Sequence, residues 1–284
     1  MKFQIISIET FAHEERRLGK KIHLHKGVWW EQSSPFYCKP INEFSSFVPK
    51  SSTPNLLKAL FGYSHQVPDS SKATRFVSWN ILDGENLINF SLDCLKPSKR
   101  RTIRKGLQQC MIKYLLPTEN NIEQMRQINI SQAKKFEGTR ESGTFLSSEY
   151  YDLKATEWRE QTRRLFTHLG NYFVGAYVGH TLVAYINLIQ IEDTLKIGAV
   201  KSCSEYLQHR PVDALYFTVL SMAAKSRVFT RIVNGGPDGE PESLTYFKGE
   251  FHIIPISFPY YTWSVLPMTQ LRKLKSMVVL ESLK

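Results

Sequence analysis

The feature that most constrains the fold is an uncharged stretch, YFVGAYVGHTLVAYINLIQI, at 172–191. Its length would suit a membrane span, but Gly179, His180 and Asn187 interrupt its apolar character. A β-hairpin explains it better, because FVGAYV and LVAYINLIQI are rich in β-branched and aromatic residues and flank a Gly179-His180 turn. The stretch therefore predicts two antiparallel strands of a sheet.

The residues after this hairpin predict the rest of a sheet domain. A third strand, TLKIGAVKSCS, is followed by a helix, PVDALYFTVLSMAAK, which Pro211 opens and which is apolar nearly all round. A strand, RIVNGG, and a second helix come next. This order predicts an α+β or α/β fold, a sheet with helices packed on it, and we place a domain boundary near residue 115.

The N-terminal part has a different pattern. Its first 95 residues predict short strands and loops, among them FQIISIE, with one helix at about 55–62. A helix follows in PSKRRTIRKGLQQCM, with Ser98 as its N-cap and Ile103, Leu107 and Met111 at helical spacing. Thr118 and Ser147 are placed to cap two further helices.

Charge and cysteine usage bound the partners and the compartment. The 284 residues include 37 Lys and Arg against 26 Asp and Glu, a net charge of +11 that favours an anionic partner such as nucleic acid. The four cysteines lie far apart, which predicts reduced thiols and a cytoplasmic location. The eight histidines form no ligand pattern, so we expect no metal, and the N-terminus does not resemble a secretory signal.

Three segments carry a resemblance to a known family. They are NGGPDGEPESLTYFKGEF, with its Phe247-Lys248 pair, the basic helix SKRRTIRKGL, and the helix that Pro211 begins. Together they resemble the Fem family of aminoacyl-tRNA-dependent transferases, within the GNAT acyltransferase superfamily. The resemblance implies tandem GNAT-like units, each a mixed, mostly antiparallel sheet with packed helices.

The resemblance also implies the roles of the two halves. Residues 1–115 would form the acceptor side and 116–284 the acyl-donor side, with the last helix packing back on the N-terminal unit. The implied reaction moves an aminoacyl group from aminoacyl-tRNA to an amine, with no separate cofactor. The acceptor amine, which could be nucleotide-linked or phosphate-linked, is not identified by the sequence, nor is the oligomeric state.

One departure from common acetyltransferases concerns the donor. Those enzymes hold the pyrophosphate of coenzyme A on glycine-rich amides at a helix N-terminus, whereas this chain reads QHRPVDA at 208–214. Pro211 lacks an amide donor, and Asp213 places a carboxylate in the first turn. An acyl-coenzyme A or carrier-protein thioester therefore stays an alternative, in which Arg210 and Lys201 would compensate. A relative that binds RNA or another anion without catalysis is a second alternative.

Lys248 and Phe247 are the candidate catalytic pair. A fixed cation at the negative oxygen of a tetrahedral intermediate lowers the barrier to amide formation, by roughly 3 to 4 kcal/mol for one donor. The resemblance gives this role to Lys248, with Phe247 shaping its pocket. The alternative is a surface lysine whose stem lies over Phe251.

The loop before Lys248 offers further candidates. Asp238 is our choice of general base, with Glu240 and Glu242 as other possibilities, although acidic residues between Gly and Pro often serve as turn formers. Asn234 and Gly235 end a core strand, which is a common place for a site.

A cluster of cations is the candidate phosphate-binding surface. Arg100/Arg104 and Arg101/Lys105 lie four residues apart on the basic helix, where like charges repel unless an anion neutralises them. Phosphates of tRNA or of a nucleotide-linked acceptor would do so, and a solvated helix face is the alternative. Lys39 in the first unit is a further candidate for the acceptor's phosphates.

Overall fold

A computed structural model describes residues 3–34, 36–48, 52–137, 146–236 and 240–265 of the chain. The helices are α1 (Ile8–Arg17), α2 (Gly84–Ile88), α3 (Pro97–Gln109), α4 (Glu119–Phe136), α5 (Ser148–Leu153), α6 (Ala155–Phe166), α7 (Pro211–Ser226) and α8 (Glu242–Gly249). The strands are β1 (Ile22–His25), β2 (Val28–Ser34), β3 (Tyr37–Pro40), β4 (Gly62–Gln66), β5 (Arg75–Asp83), β6 (Met111–Tyr114), β7 (Asn171–Val178), β8 (Thr181–Ile191), β9 (Thr194–Ser202), β10 (Arg231–Val233) and β11 (Ile254–Ser264).

The chain forms two compact units. The larger contains the segment that ends at Ile6 together with Trp79–Pro255, and the smaller contains Ser7–Ser78 together with the segment from Ile256 onward. These units are not divided at residue 115, because α3 and β6 belong to the same larger unit as the hairpin. The acceptor and donor roles assigned to 1–115 and 116–284 stay predictions, and the predicted last helix lies outside the described residues.

The larger unit contains the predicted hairpin and third strand. Its strands are ordered β5-β10-β9-β8-β7-β6, and each neighbouring pair is antiparallel except β9 with β10. Val178 pairs with Thr181 across the hairpin, and Gly179 adopts φ +59 in the turn, a conformation that glycine reaches without strain. The uncharged stretch is therefore two buried strands, as its residue types predict.

Helix α7 is the buried helix of this unit. Pro211 stands in its first turn, as predicted, and most of its length is buried, including Leu215, Val219 and Leu220 with no exposed surface. These residues belong to one apolar cluster with β8 and β9 side chains such as Ile186 and Leu195. A helix that is apolar on all sides is stable in water only when it is covered in this way.

Helix α3 has a different cap and a different buried face from those predicted. It begins at Pro97 after Lys96, so Ser98 is inside the helix rather than its N-cap. Its buried residues are Lys99, Ile103 and Gly106, whereas Leu107 is 40% exposed. Met111 lies beyond the helix, in β6. The predicted apolar stripe was therefore rotated, because it counted Leu107 as inward and overlooked Lys99.

The caps predicted for the next helices are confirmed. The Thr118 side chain accepts a hydrogen bond from the Asn121 amide at the start of α4, and Ser147 accepts one from Tyr150 at the start of α5. Each cap satisfies an amide that has no partner within its helix.

The strands of the smaller unit are ordered β1-β2-β3-β4-β11, with one parallel pair, β3 with β4. Two predictions for the N-terminal residues were wrong. The segment FQIISIE ends in helix α1, because Ser7 caps it, Glu9 lies in its first turn and Arg16 and Arg17 lie in its last. Residues 55–61 form turns rather than the helix predicted at about 55–62, because the Asn55 side-chain oxygen accepts the Leu57 amide, and Gly62 already begins β4.

The predicted fold class is confirmed. Each unit has a mixed, mostly antiparallel sheet, and helices pack on it. Within the described part of the chain, no helix has both the length and the apolar character needed to cross a membrane.

Candidate functional site

The candidate site lies where β10 ends in the larger unit. The Asn234 amide donates to the main-chain oxygen of Asn80 at 2.8 Å, and the Asn80 amide donates to the oxygen of Gly235 at 2.9 Å. Gly235 adopts φ +70, and a Cβ there would lie 3.3 Å from a carboxylate oxygen of Glu240. A side chain at residue 235 would therefore be strained and would crowd the Glu240 carboxylate.

Lys248 is buried in this place, with 3% of its surface exposed. Helix α8 carries it inward, and its ammonium donates to the main-chain oxygen of Asn234 at 2.6 Å and to the Glu240 carboxylate. Lysine is almost never buried without a partner, because removing the charge from water is costly. The surface-lysine alternative is therefore wrong. Among the described residues, the third N–H of the ammonium has no acceptor.

Glu240 is the carboxylate that faces Lys248. One of its oxygens accepts from Lys248, and the other accepts from the Asn80 side-chain amide at 3.1 Å. This pairing fixes the direction of the ammonium. Glu242 is exposed in the first turn of α8, and Asp238 lies outside the described residues, so its role as general base stays a prediction.

Tyr216, in helix α7, is hydrogen-bonded to the residue that follows β10. Its hydroxyl oxygen accepts a hydrogen bond of 2.7 Å from the Asn234 side-chain amide. Burial raises the pKa of Tyr216 to about 12, and the charge of Glu240 acts in the same direction, so the phenol stays neutral. Phe247 meets the Tyr216 ring edge to face at 5.1 Å, and Phe251 stacks on it at 5.3 Å. Phe247 therefore packs on Tyr216, the residue that accepts from the Asn234 side chain, while its predicted catalytic contribution stays a proposal.

A second buried cation, Lys99, lies next to the same rings. Its nitrogen is 4.2 Å from the centre of Phe247 and 4.4 Å from the centre of Phe251. The sequence led us to expect the ring-bound cation to be Lys248, but Lys248 is held by oxygen atoms and Lys99 is the one over the rings. Lys99 also donates to Asp213 at 2.6 Å and to Glu250 at 3.0 Å.

The four predicted phosphate ligands of α3 are brought together on its outer face. They line one open surface hollow together with Pro97 and Gln108; the four are Arg100, Arg101, Arg104 and Lys105. Arg100 is 3.8 Å from Asp93, and the other three form no ion pair with any described carboxylate. Within the described part of the chain, carboxylates therefore neutralise little of the repulsion among these four cations.

Arg210 and Lys39 lie elsewhere. Arg210 is exposed and precedes α7 in a left-handed conformation, with φ +57. Lys39 belongs to the smaller unit, where it donates to Glu43 at 2.6 Å and lies 3.7 Å from Glu31. Burial acts to lower the pKa of Lys39, but these two carboxylates raise it above the usual value. Lys39 is thus a cation that already has carboxylate partners.

The start of α7 is packed rather than open. A Cβ on Gly106 would lie 2.6 Å from the main-chain oxygen of Arg210 and 3.1 Å from the Ala214 side chain, so α3 approaches α7 closely there. Asp213 points to Lys99 and is 7% exposed. The first turn that holds pyrophosphate in common acetyltransferases therefore carries a buried carboxylate in this chain.

Sequence reasoning missed Lys99, Asn80 and Tyr216. The signal for Lys99 was present, because it lies four residues before Ile103 and seven before Gly106, on one helix face. Asn80 and Tyr216 carried no such signal, since their roles depend on strand pairing and on helix packing.

Within the described ranges, no group of three or more His, Cys, Asp or Glu could hold a metal ion. That no metal is needed stays a prediction.

Comparisons with known proteins identify the fold. No family model matches the chain, and no curated protein matches it by sequence. Among solved structures, it is similar to the C-terminal domain of an Agrobacterium fabrum protein described as a lysylphosphatidylglycerol synthetase, with a TM-score of 0.59, 12% identity, and coverage of 97% of this chain and 92% of that one.

Two further structures agree with this likeness. L-PGS from Bacillus licheniformis gives a TM-score of 0.57 at 12% identity, covering 94% of each chain. FemX gives 0.57 at 8% identity, covering 96% of this chain and 95% of that one. The fold expected from the sequence resemblance is confirmed, because the chain shares it with FemX over nearly its whole length.

Proposed function

We propose that this protein is an N-acyltransferase that moves an aminoacyl group from aminoacyl-tRNA to an amine acceptor. The observation that carries the proposal is the buried ammonium of Lys248, which Asn234 and Glu240 hold beside the end of β10. Two structures of the same fold, FemX and a protein named for making lysylphosphatidylglycerol, support the aminoacyl donor. A cytoplasmic location and the absence of a separate cofactor are parts of the same proposal.

The role of Lys248 follows from the charge that develops during the reaction. The acceptor nitrogen attacks the ester carbonyl of the aminoacyl-tRNA, and the carbonyl oxygen becomes negative. The N–H of Lys248 that lacks a described acceptor stabilises this oxygen, and low exposure strengthens the interaction. As the intermediate collapses, the C–N bond remains, the C–O bond to the tRNA breaks, and the ribose oxygen leaves as a hydroxyl after gaining a proton.

The proton balance requires a base for the acceptor amine. Nitrogen must lose one proton to form a neutral amide, and the leaving ribose oxygen must gain one. Asp238, three residues after Gly235, is proposed as the base that moves this proton. Glu240 is assigned a different task, because both of its oxygens are engaged in holding Lys248 and Asn80.

The outer face of α3 is proposed to bind the phosphates of the tRNA or of a phosphate-linked acceptor. Three of its cations have no described carboxylate partner, so an anionic ligand would relieve their mutual repulsion. Lys39 and Arg210 are proposed as further phosphate contacts. Lys39 is the weaker of the two, because Glu43 and Glu31 already neutralise it.

The coenzyme A alternative has less support. Pro211 removes an amide from the first turn of α7, and the carboxylate of Asp213 is buried in that turn. Both features disfavour a pyrophosphate at this helix end. Calorimetry with coenzyme A separates the two donors, because saturable binding would support the thioester alternative.

The direct test of the proposal uses total tRNA charged with radiolabelled amino acids and a cell extract as the source of acceptors. We expect label to pass to a product that survives mild alkali, because amides resist alkali whereas the ester on tRNA is cleaved. Untargeted mass spectrometry of the extract identifies the acceptor by the added mass of one aminoacyl residue.

Two other results would overturn the proposal. If charged and uncharged tRNA bind equally in mobility shifts and no product forms, the protein is an anion-binding relative without catalysis. If the labelled product is cleaved by mild alkali, an ester has been formed and the acceptor is a hydroxyl.

A further inference from the structure

Lys99 is a buried charged residue that the proposed mechanism does not use. It lies in the first turn of α3, yet only 4% of its surface is exposed, whereas the neighbouring cations of the helix face outward. Its ammonium is enclosed by Asp213 of α7, Glu250 just after α8, and the rings of Phe247 and Phe251. One side chain of α3 thus contacts both α7 and the C-terminal end of α8 with the residues just after it.

Two of these contacts directly flank Lys248. Phe247 precedes it in the chain, and Phe251 donates its main-chain amide to the Lys248 oxygen at 2.9 Å. The rings of Phe247 and Phe251 are themselves 5.3 Å apart. A cation over two aromatic faces is attracted to both, and the attraction is stronger where water is excluded. Lys99 therefore holds the part of α8 that carries the proposed oxyanion-binding nitrogen.

The same residue fixes the basic helix. Lys99 and Gly106 lie two helical turns apart on the same buried face, and each contacts the first turn of α7 or the residue before it. Helix α3 is thereby anchored at two points, with Arg101 and Arg104 directed away from the anchored face. The phosphate-binding surface and the Lys248 pocket share one anchor.

We infer that Lys99 is a positioning residue that couples the phosphate-binding face of α3 to the Lys248 pocket. The inference rests on the proposed function for its kinetic consequence. An anion bound on the outer face would then act on a helix whose inner face fixes Phe247 and Phe251. Lys99 itself touches neither substrate nor the reacting atoms.

A single substitution is a poor test, because Lys99→Met leaves two carboxylates facing an apolar side chain and can prevent folding. A triple variant, Lys99→Met with Asp213→Asn and Glu250→Gln, removes all three charges together and keeps similar side-chain volumes. Cooperative unfolding of this variant, followed by circular dichroism, establishes that it is folded. Lys225→Met, which removes an exposed cation on α7, is the matched control.

The first measurement is the chemical accessibility of Lys248 by reductive methylation, read by peptide mass spectrometry. In the triple variant we expect Lys248 to be modified about tenfold faster or more, because local opening exposes a shielded group. Lys72, which is exposed and is not substituted in either variant, serves as an internal reference whose rate of methylation does not change. An unchanged Lys248 rate would overturn the inference.

The second measurement separates positioning from binding. We expect kcat for aminoacyl transfer to fall about 10- to 100-fold with KM for tRNA unchanged, because a small displacement of a catalytic group is costly while the outer cations remain. A rise in KM with kcat unchanged would make Lys99 a binding determinant instead and would overturn the inference. If the unmodified protein transfers nothing, the proposed function fails, while the accessibility of Lys248 still decides the role of Lys99.

Discussion

The ammonium of Lys248 donates a 2.6 Å hydrogen bond to the main-chain oxygen of Asn234, joining α8 to the end of β10. Lysine is usually exposed, but this hydrogen bond holds the Lys248 ammonium in a buried position with a fixed direction. It also places the nitrogen next to Gly235, where an added Cβ would lie 3.8 Å away. The backbone at this strand end is therefore part of the cation's pocket.

Removal of the Lys248 charge is the first prediction. Lys248→Met should lower the transfer rate about 100- to 1000-fold, the cost of losing one oxyanion donor. Because this change leaves Glu240 without its counter-charge, Lys248→Met/Glu240→Gln is measured beside it by urea denaturation and by transfer kinetics. A double variant that is folded and fully active would remove Lys248 from the mechanism.

Loss of the Tyr216 hydroxyl is the second prediction. Tyr216→Phe leaves the Asn234 side-chain amide without its acceptor, which should destabilise the protein by about 1 to 3 kcal/mol. Tyr246→Phe is the matched control, because Tyr246 is 65% exposed on α8 and should show no change. Urea denaturation measures both, and equal stabilities of the two variants would contradict the assigned hydrogen bond.

Close packing of α3 against α7 gives the third prediction. Gly106→Ala places a Cβ 2.6 Å from the Arg210 oxygen, so it should destabilise the fold by about 1 to 3 kcal/mol. Gly249→Ala meets no atom within 4 Å and should be neutral or stabilising by about 0.5 to 1 kcal/mol. Thermal unfolding measures both variants, and Gly106→Ala should have the lower melting temperature. A lower melting temperature for Gly249→Ala would show that the helices are not in close contact at Gly106.

The outer face of α3 gives the fourth prediction. Arg101→Gln/Arg104→Gln should weaken tRNA binding and reduce the slope of log affinity against log salt by about one per lost phosphate contact. Lys225→Gln, a change of exposed charge on α7, should leave the slope unaltered. Fluorescence anisotropy with labelled tRNA over a salt series measures both, and identical slopes would place the tRNA elsewhere.

Acid sensitivity of the smaller unit is the fifth prediction. Burial, followed by the nearby cations Lys58, His25 and Arg16, lowers the pKa of His23 from 6.5 to about 4.

Between these two values the unfolded chain binds a proton that the native protein does not, so stability falls as pH drops from about 6.5 toward about 4. Burial also lowers the pKa of His65, which acts in the same sense. His23→Gln should therefore flatten the dependence in part. Urea denaturation at several pH values tests this, and an unchanged slope would refute it.

Local patterns in the sequence determined most of the larger unit. The hairpin, the buried helix after Pro211 and the caps at Thr118 and Ser147 follow from residue types within a few positions of one another. The same rules failed where two local signals competed. The start of the chain is apolar enough for a strand, but the Ser7 cap and the complementary end charges favour helix α1.

Some features of the candidate site follow from neighbouring residues in the sequence, whereas others depend on tertiary packing. The sequence by itself determined that Lys248 follows a glycine-containing strand end and that α3 carries clustered cations, because both are properties of neighbouring residues. Only the tertiary structure decided which lysine meets the aromatic rings, because Asp213, Glu250 and the rings reach Lys99 from positions more than a hundred residues away in the chain. The partner of a buried charge is selected by packing and desolvation over such distances, and no local pattern encodes that choice.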